Sequence, residues 1–167
     1  YFTSYRDGRV NGVLPAPVMG REALKGRPIR FTSWNGFGAN IDTIAKAAPL
    51  AGFFNSITEG DGVVRSIPLL AEYKGEYYES LSLAMFRMLV GQPGVEPGFP
   101  QEKFLTRNYQ GLESILLKQG SKTLAIPVDD RVATLVPFRG PGGASGGSYR
   151  YVSASDVLAG KMAPGQL

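Results

Sequence analysis

Apolar residues in this chain fall into short runs broken by Gly, Pro, Asn and Asp, and the pattern is most regular over residues 52–91, GFFNSITEGDGVVRSIPLLAEYKGEYYESLSLAMFRMLVG. Residues 51–57 and the run VVRSIPLLAEY (63–73) have the β-branched and aromatic character of strands. TEGDG between them supplies a turn, because Gly60 and Gly62 can take positive φ and Asp61 can hydrogen-bond nearby backbone. The two flanks of this turn are expected to pair in one sheet, with Phe53 and Phe54 placing one ring on each face. Pro68 lacks an amide proton and belongs at an edge, a bulge or a strand end. Lys74-Gly75 predicts a tight turn and residues 76–78 a return strand. Ser80 is positioned to cap a helix over residues 81–90, closed by Gly91 and Pro93. In that helix Leu81, Ala84, Met85, Met88 and Leu89 are expected to face the core, with Ser82 and Arg87 nearer solvent.

On either side the pattern is looser. Residues 29–34 (IRFTSW) read as a short strand, and WNGFGAN (34–40) as a flexible corner. A helix over residues 41–48 follows, with Asn40 as N-cap, Pro49 as stop and Ile41, Ile44, Ala45 and Ala48 as its packing face. Residues 92–103 (QPGVEPGFPQEK) lack periodicity and are expected to be a surface insertion. Residues 112–117 and 122–126 flank KQGS as a hairpin, VDD is a second turn, and residues 132–138 are a further strand. The loop GPGGASGGS is nearly structureless by composition. Ser153 with Asp156 three residues on predicts a capping box over a short helix closed by Gly160. Together these elements predict one mixed α/β domain over residues 1–167, a mixed or largely antiparallel sheet covered by short helices.

Composition narrows the chemistry. At 167 residues with 43% apolar content the chain can bury one core, while 22 glycines and 12 prolines make it loop-rich. The formal charge of +4, from 18 basic and 14 acidic residues, is spread along the chain without a basic stripe interleaved with aromatics, so nucleic acid is not an expected partner. There is no cysteine and no histidine. Their absence removes disulfides, thiolate nucleophiles, Cys-based metal sites and the Ser-His triad, together with the commonest general base near neutral pH. No apolar run reaches the roughly 18 residues of a membrane-spanning helix. The chain opens at Tyr1 without an initiator Met, which reads as either a processed chain or a segment of a longer protein.

The motifs that remain are weak as catalysts. Gly143-Ala144-Ser145-Gly146-Gly147 fits the G-x-S-x-G pattern, but it lies in a composition-poor loop of a chain with no histidine to act as base. WNGFGAN lacks the third glycine of a dinucleotide fingerprint and the GK[ST] end of a P-loop. Glu59, Asp61, Asp129 and Asp130 sit where turns are expected and do not follow calcium-loop spacing. No catalytic residue, metal or cofactor is therefore expected. Arg65, Arg139 and Arg150 are the candidates for bidentate capture of a carboxylate or phosphate, with Tyr149 and Tyr151 as walls. For Arg65 an internal salt bridge is the competing reading.

Several stretches carry a resemblance to a known family. EGDGVVRSIPLL followed by YYESLSLA resembles the centre of the second class of CHASE domains, where D-x-D-G-V-V-R-R precedes an I/V-P-L-L strand and a "YPSLAL" helix. Ser66 stands where a second arginine is common, and Glu79 where proline is usual. AIPVDD and LVPFRGP are similar to the family's strand, turn and strand ending in Y/F-R-G-P, YRYVSASDVLAG is similar to its F-x-Y-V-S-A-x-D-V-L-x-G, and NIDTIAKAAPLAGFFN resembles the helix leading into the core. The resemblance spans about residues 37–160. It implies an extracellular sensor module of a bacterial receptor, on the extracytoplasmic side of the membrane, regulating a cytoplasmic adenylate or guanylate cyclase, histidine kinase or Ser/Thr kinase. It also implies that the chain is the second portion of a full domain. The partners it implies are an unidentified small-molecule or protein signal, the upstream and downstream portions of the same receptor, and a second copy of the chain. Two other function classes stay open from the residues: a structural or dimerisation module without a small ligand, and an extracellular hydrolase.

Overall fold

The computed structural model describes residues 2–4, 8–48, 50–100, 111–140, 148, 151–163 and 165. Strands β1 (Phe2–Ser4), β2 (Val10–Asn11) and β3 (Met19–Gly20) lead into a 3-10 turn (Arg21–Leu24), then β4 (Thr32–Ser33), β5 (Gly36–Gly38) and helix α1 (Asp42–Ala47). Next come β6 (Ser66–Pro68), β7 (Leu70–Tyr73), β8 (Glu76–Glu79) and helix α2 (Leu81–Leu89). Strands β9 (Gly94–Gly98), β10 (Ser114–Gln119), β11 (Lys122–Pro127) and β12 (Ala133–Leu135) follow, and α3 (Ala154–Leu158) comes last. The contacts separate into two units, Tyr1–Val136 and Pro137–Leu167.

Among the described residues the first unit holds four small sheets, in the orders β1-β5-β2, β3-β8-β7-β4, β11-β10-β9 and β12-β6. Most pairings are antiparallel, while β2 with β5 and β4 with β7 are parallel, so the class is mixed α/β. The β7–β8 hairpin is set by its two-residue loop. Lys74 (φ 52) and Gly75 (φ 84) both occupy the left-handed region, as a tight turn matched to strand twist requires. Around it the core gathers Leu69, Leu70, Tyr77 and Leu83 with Met19, Leu24, Val95, Leu112, Ile115, Leu117 and Val132.

The hairpin of β10 and β11, the β7–β8 hairpin and the Ser80-capped α2 follow the sequence pattern. Other elements differ from it. The flanks of the EGDG turn do not pair: Glu59 N–H donates to the Val63 carbonyl, but β6 pairs with β12, and Phe53 bridges Ser80 instead. WNGFGAN contains strand β5, whose neighbouring amides donate to Arg9 and Asn11 carbonyls, so they are not arrayed around an anion. Residues 92–103, expected as a surface insertion, contain β9, which pairs along β10 and buries Val95; Pro97 is tolerated because β9 is an edge strand. Residues 101–103 and Pro49 lie outside the described residues.

Both larger helices turn differently from expectation. α1 buries nothing, and Ile41 and Ile44 are exposed. α2 buries Leu83 and Ala84, while Leu81, Met85, Met88 and Leu89 are exposed. The reason lies in Arg87, which turns inward to Glu79 at 2.6 Å and fixes the helix rotation. In the second unit, α3 forms, but the Ser153 side chain makes no cap. Its hydroxyl pairs with that of Ser155, and Asp156 pairs with Lys161.

Candidate functional site

The two-residue hairpin loop fixes the centre of the site. Because Tyr73 pairs with Glu76, Glu72 must stand opposite Tyr77, and the register continues to Met19 on β3 and Ser33 on β4. Cross-strand partners project to the same face, so Met19, Tyr77, Glu72 and Ser33 form one row across the sheet. The Met19 end of the row is closed by the core. Over its Tyr77–Glu72–Ser33 portion lies a cleft of about 540 Å³.

Three arginines from three connections line this cleft. Arg21 follows β3 and opens the 3-10 turn, Arg30 precedes β4, and Arg131 comes from the turn between β11 and β12. The Arg21 guanidinium lies against Gly75, where an added Cβ would come within 3.3 Å of it. Arg131 is held by a turn knotted around Asp129, whose carboxylate accepts from the Arg131 and Ala133 amides, both at 2.9 Å. Val132, next in sequence, is fully buried with φ 59, an unfavourable conformation for a β-branched residue that the surrounding core enforces. Among the described residues Arg30 has one long ion pair, 4.0 Å to Asp130, and both side chains are exposed.

Glu72 is the one carboxylate among the described residues lining the cleft, and one of its oxygens accepts the Gly75 amide at 2.6 Å. Phe31 and Ile29 provide the apolar side, with the Phe31 ring 4.4 Å from that of Tyr77. Burial pushes the Tyr77 phenol up from its ordinary value and Glu72 adds to this, while Arg21 opposes it. The phenol therefore stays protonated near neutral pH and serves as a neutral hydrogen-bonding group. The cleft is thus a basic, open surface with one aromatic wall, suited to holding an oxyanion.

The residues singled out from sequence lie elsewhere. Arg65 bonds Glu59 at 2.7 Å and Asp61 at 2.6 and 3.0 Å, the internal pairing weighed against ligand binding. The Arg65 bond, helped by the Val63 amide, holds the Asp61 carboxyl below its usual value. Arg139 and Tyr151 are exposed in the second unit, and Tyr149, Arg150 and the Gly143–Gly147 loop are outside the described residues. Asp61 and Glu79 are the carboxyls displaced from their ordinary values among the described residues. Each is held by its own arginine, and neither lines the cleft. Among the described residues no group of three or more acidic side chains is placed to hold a metal ion.

Arg21, Arg30 and Arg131 were missed because they sit in connections without periodicity. A usable signal existed for part of the site: once Lys74-Gly75 is read as a two-residue turn, Glu72 and Tyr77 are forced onto one face. No curated protein and no solved structure matches the chain. The family model of the CHASE2 domain matches residues 9–167, wider than the stretch of about residues 37–160 that carries the motifs. Since that match takes in the whole core and every residue of the cleft, the chain belongs to the CHASE2 domain family.

Proposed function

We propose that the chain is the extracytoplasmic sensor portion of a bacterial membrane receptor, and that it biases a cytoplasmic cyclase or protein kinase. The observation that carries this is the family match: CHASE2 domains are sensory modules of membrane receptors and are not catalytic. Among the described residues no helix is long and apolar enough to cross a membrane. To shift its receptor substantially, a signal has to favour one of two conformations by about 3–5 kcal/mol. Arg139 and Arg150, with Tyr149 and Tyr151, are proposed as a further anion-contacting set in the second unit. Arg65 would join them only if an incoming anion displaced its two carboxylates.

The test is topological and functional. In spheroplasts carrying the whole protein, with any outer membrane removed, added protease should digest this segment, and effector output should change when the segment is altered. Protection of the segment until the spheroplasts are lysed would overturn the reading.

A second reading, an assembly module without a small ligand, is favoured by one observation. The outer face of α2 exposes Leu81, Met85, Met88 and Leu89, and Val90 at its end shares a shallow apolar groove with Leu124 of β11. Sedimentation of the chain across a concentration series tests it. A monomer throughout would remove self-association.

A further inference from the structure

We propose that the cleft over Tyr77 binds a small molecule carrying two or more oxyanion charges, through Arg21, Arg30 and Arg131. Three arginines line it against one acidic residue, Glu72, whose carboxylate already has one oxygen committed to the Gly75 amide. Internal partners offset the imbalance only in part: Arg21 meets the Tyr77 phenol, with Glu76 near that ring, and Arg30 has a long pair with Asp130. Arg65 and Arg87 show what a satisfied arginine looks like in this chain, each with a carboxylate at 2.6–2.7 Å. Arg30, by contrast, reaches among the described residues only Asp130 at 4.0 Å, and its side chain is 82% exposed.

Position and shape argue in the same direction. The arginines arrive from three separate connections, and two of those are fixed by backbone devices with a cost of their own: positive φ at Lys25, which ends the 3-10 turn begun by Arg21, and at buried Val132 beside Arg131. A volume of about 540 Å³ suits a ligand of metabolite size. Guanidinium forks bind carboxylate and phosphate oxygens in pairs. Ser33 and the protonated Tyr77 add neutral hydrogen-bonding groups, and Phe31 gives the ligand's carbon body a wall. The ligand class is therefore a di- or tricarboxylate or a phosphate ester. Its effect on output rests on the sensory reading above, whereas binding itself does not.

Calorimetric titration of the full chain with pyrophosphate, citrate and succinate, at matched ionic strength in chloride, tests the proposal. Saturable binding of at least one is expected. Arg30→Ala and Arg131→Ala should each weaken it about tenfold, the scale of one charge-assisted hydrogen bond. Pyrophosphate alone would mark the natural ligand as phosphorylated, and citrate or succinate alone as a carboxylate. Both replaced side chains are exposed, so the folds should survive. Arg30→Gln and Arg131→Gln, checked by circular dichroism, provide a second pair if they do not. No binding beyond chloride, or binding unchanged in the folded variants, would overturn the cleft as a site while leaving the sensory reading in place. Binding to the cleft with receptor output unchanged would support the site and overturn the sensory consequence.

Discussion

Glu79 and Arg87 show how one residue can redirect an element. Proline is usual in the family at the position Glu79 holds, and here a carboxylate is 5% exposed at the end of β8. Arg87 answers it with a bond of 2.6 Å and also donates Nε–H to the Pro93 carbonyl at 2.9 Å, tying the end of α2 to the start of β9. The second Glu79 oxygen has no hydrogen-bond partner among the described residues. Removing Arg87 would leave a buried charge with neither counter-ion nor full solvation. Arg87→Ala is expected to lower unfolding stability by about 3 kcal/mol or more, and Glu79→Gln with Arg87→Met together to recover much of that loss. Urea denaturation of the two single variants and the pair checks it. A cost below about 1 kcal/mol for Arg87→Ala would show that the Glu79 carboxyl is relieved in another way, by protonation or by water reaching it. At Gly75 the penalty has a different source: Gly75→Ala must hold a side chain at φ 84 within reach of Arg21, and a loss of about 1 kcal/mol is expected from the same measurement.

At the scale of elements, the junction between the Phe53 bridge and α2 depends on bare backbone. Phe53 accepts from Leu81 N–H at 2.7 Å and donates to the Glu79 carbonyl at 3.1 Å, and a Cβ on Gly52 would collide with the backbone of Ser80 and Leu81. Neither of those backbones can swing aside as a side chain would. Gly52→Ala is therefore expected to cost about 1–3 kcal/mol in urea unfolding and to raise amide exchange at Leu81 and Leu83, whereas Gly60→Ala, where nothing lies within 4 Å, should be near neutral. Local rules made several elements legible. Lys74-Gly75 specified its hairpin, Ser80 its helix start, and KQGS the turn of β10 and β11, because each depends on residues adjacent in sequence. What stayed illegible depends on distant partners. The rotation of α2 answers to Glu79, the strand in 94–98 exists because β10 offers an edge, and β6 chooses β12 rather than its neighbour across the EGDG turn. The cleft belongs to this second group, since its arginines come from connections whose positions are set by the strands on either side.

At the scale of the whole molecule, the unusual composition gives an unusual pH response. With no histidine and no cysteine, no side chain has an ordinary pKa in the window of about pH 7 to 9. Stability should therefore change only at the acid and alkaline flanks. Burial holds the Glu79 carboxyl above its ordinary value, and the bond from Arg87 offsets this only in part. The folded chain binds that proton more tightly than the unfolded chain, so this group's contribution falls as pH rises from the ordinary carboxylate value through the raised one. Asp61 has the opposite sign. Its stabilisation is present above the ordinary value and lost as pH drops through its lowered one, but the pair with Arg65 is solvent-exposed and salt-screened, so Glu79 governs the acid flank. On the alkaline side Tyr77 and Tyr78 are both raised, chiefly by burial. Their contribution is intact up to the ordinary phenol value and is lost as pH climbs through the raised ones. Urea midpoints measured from about pH 4 to 11 are expected to show a plateau from about 7 to 9 and a fall beyond about 10. Glu79→Gln should flatten the slope on the acid side, and Tyr77→Phe should reduce the alkaline fall while keeping the ring against Phe31. A midpoint that slides steadily across the plateau window would mean that protons are exchanged on unfolding by groups other than these, and the assignment of both flanks would fail with it.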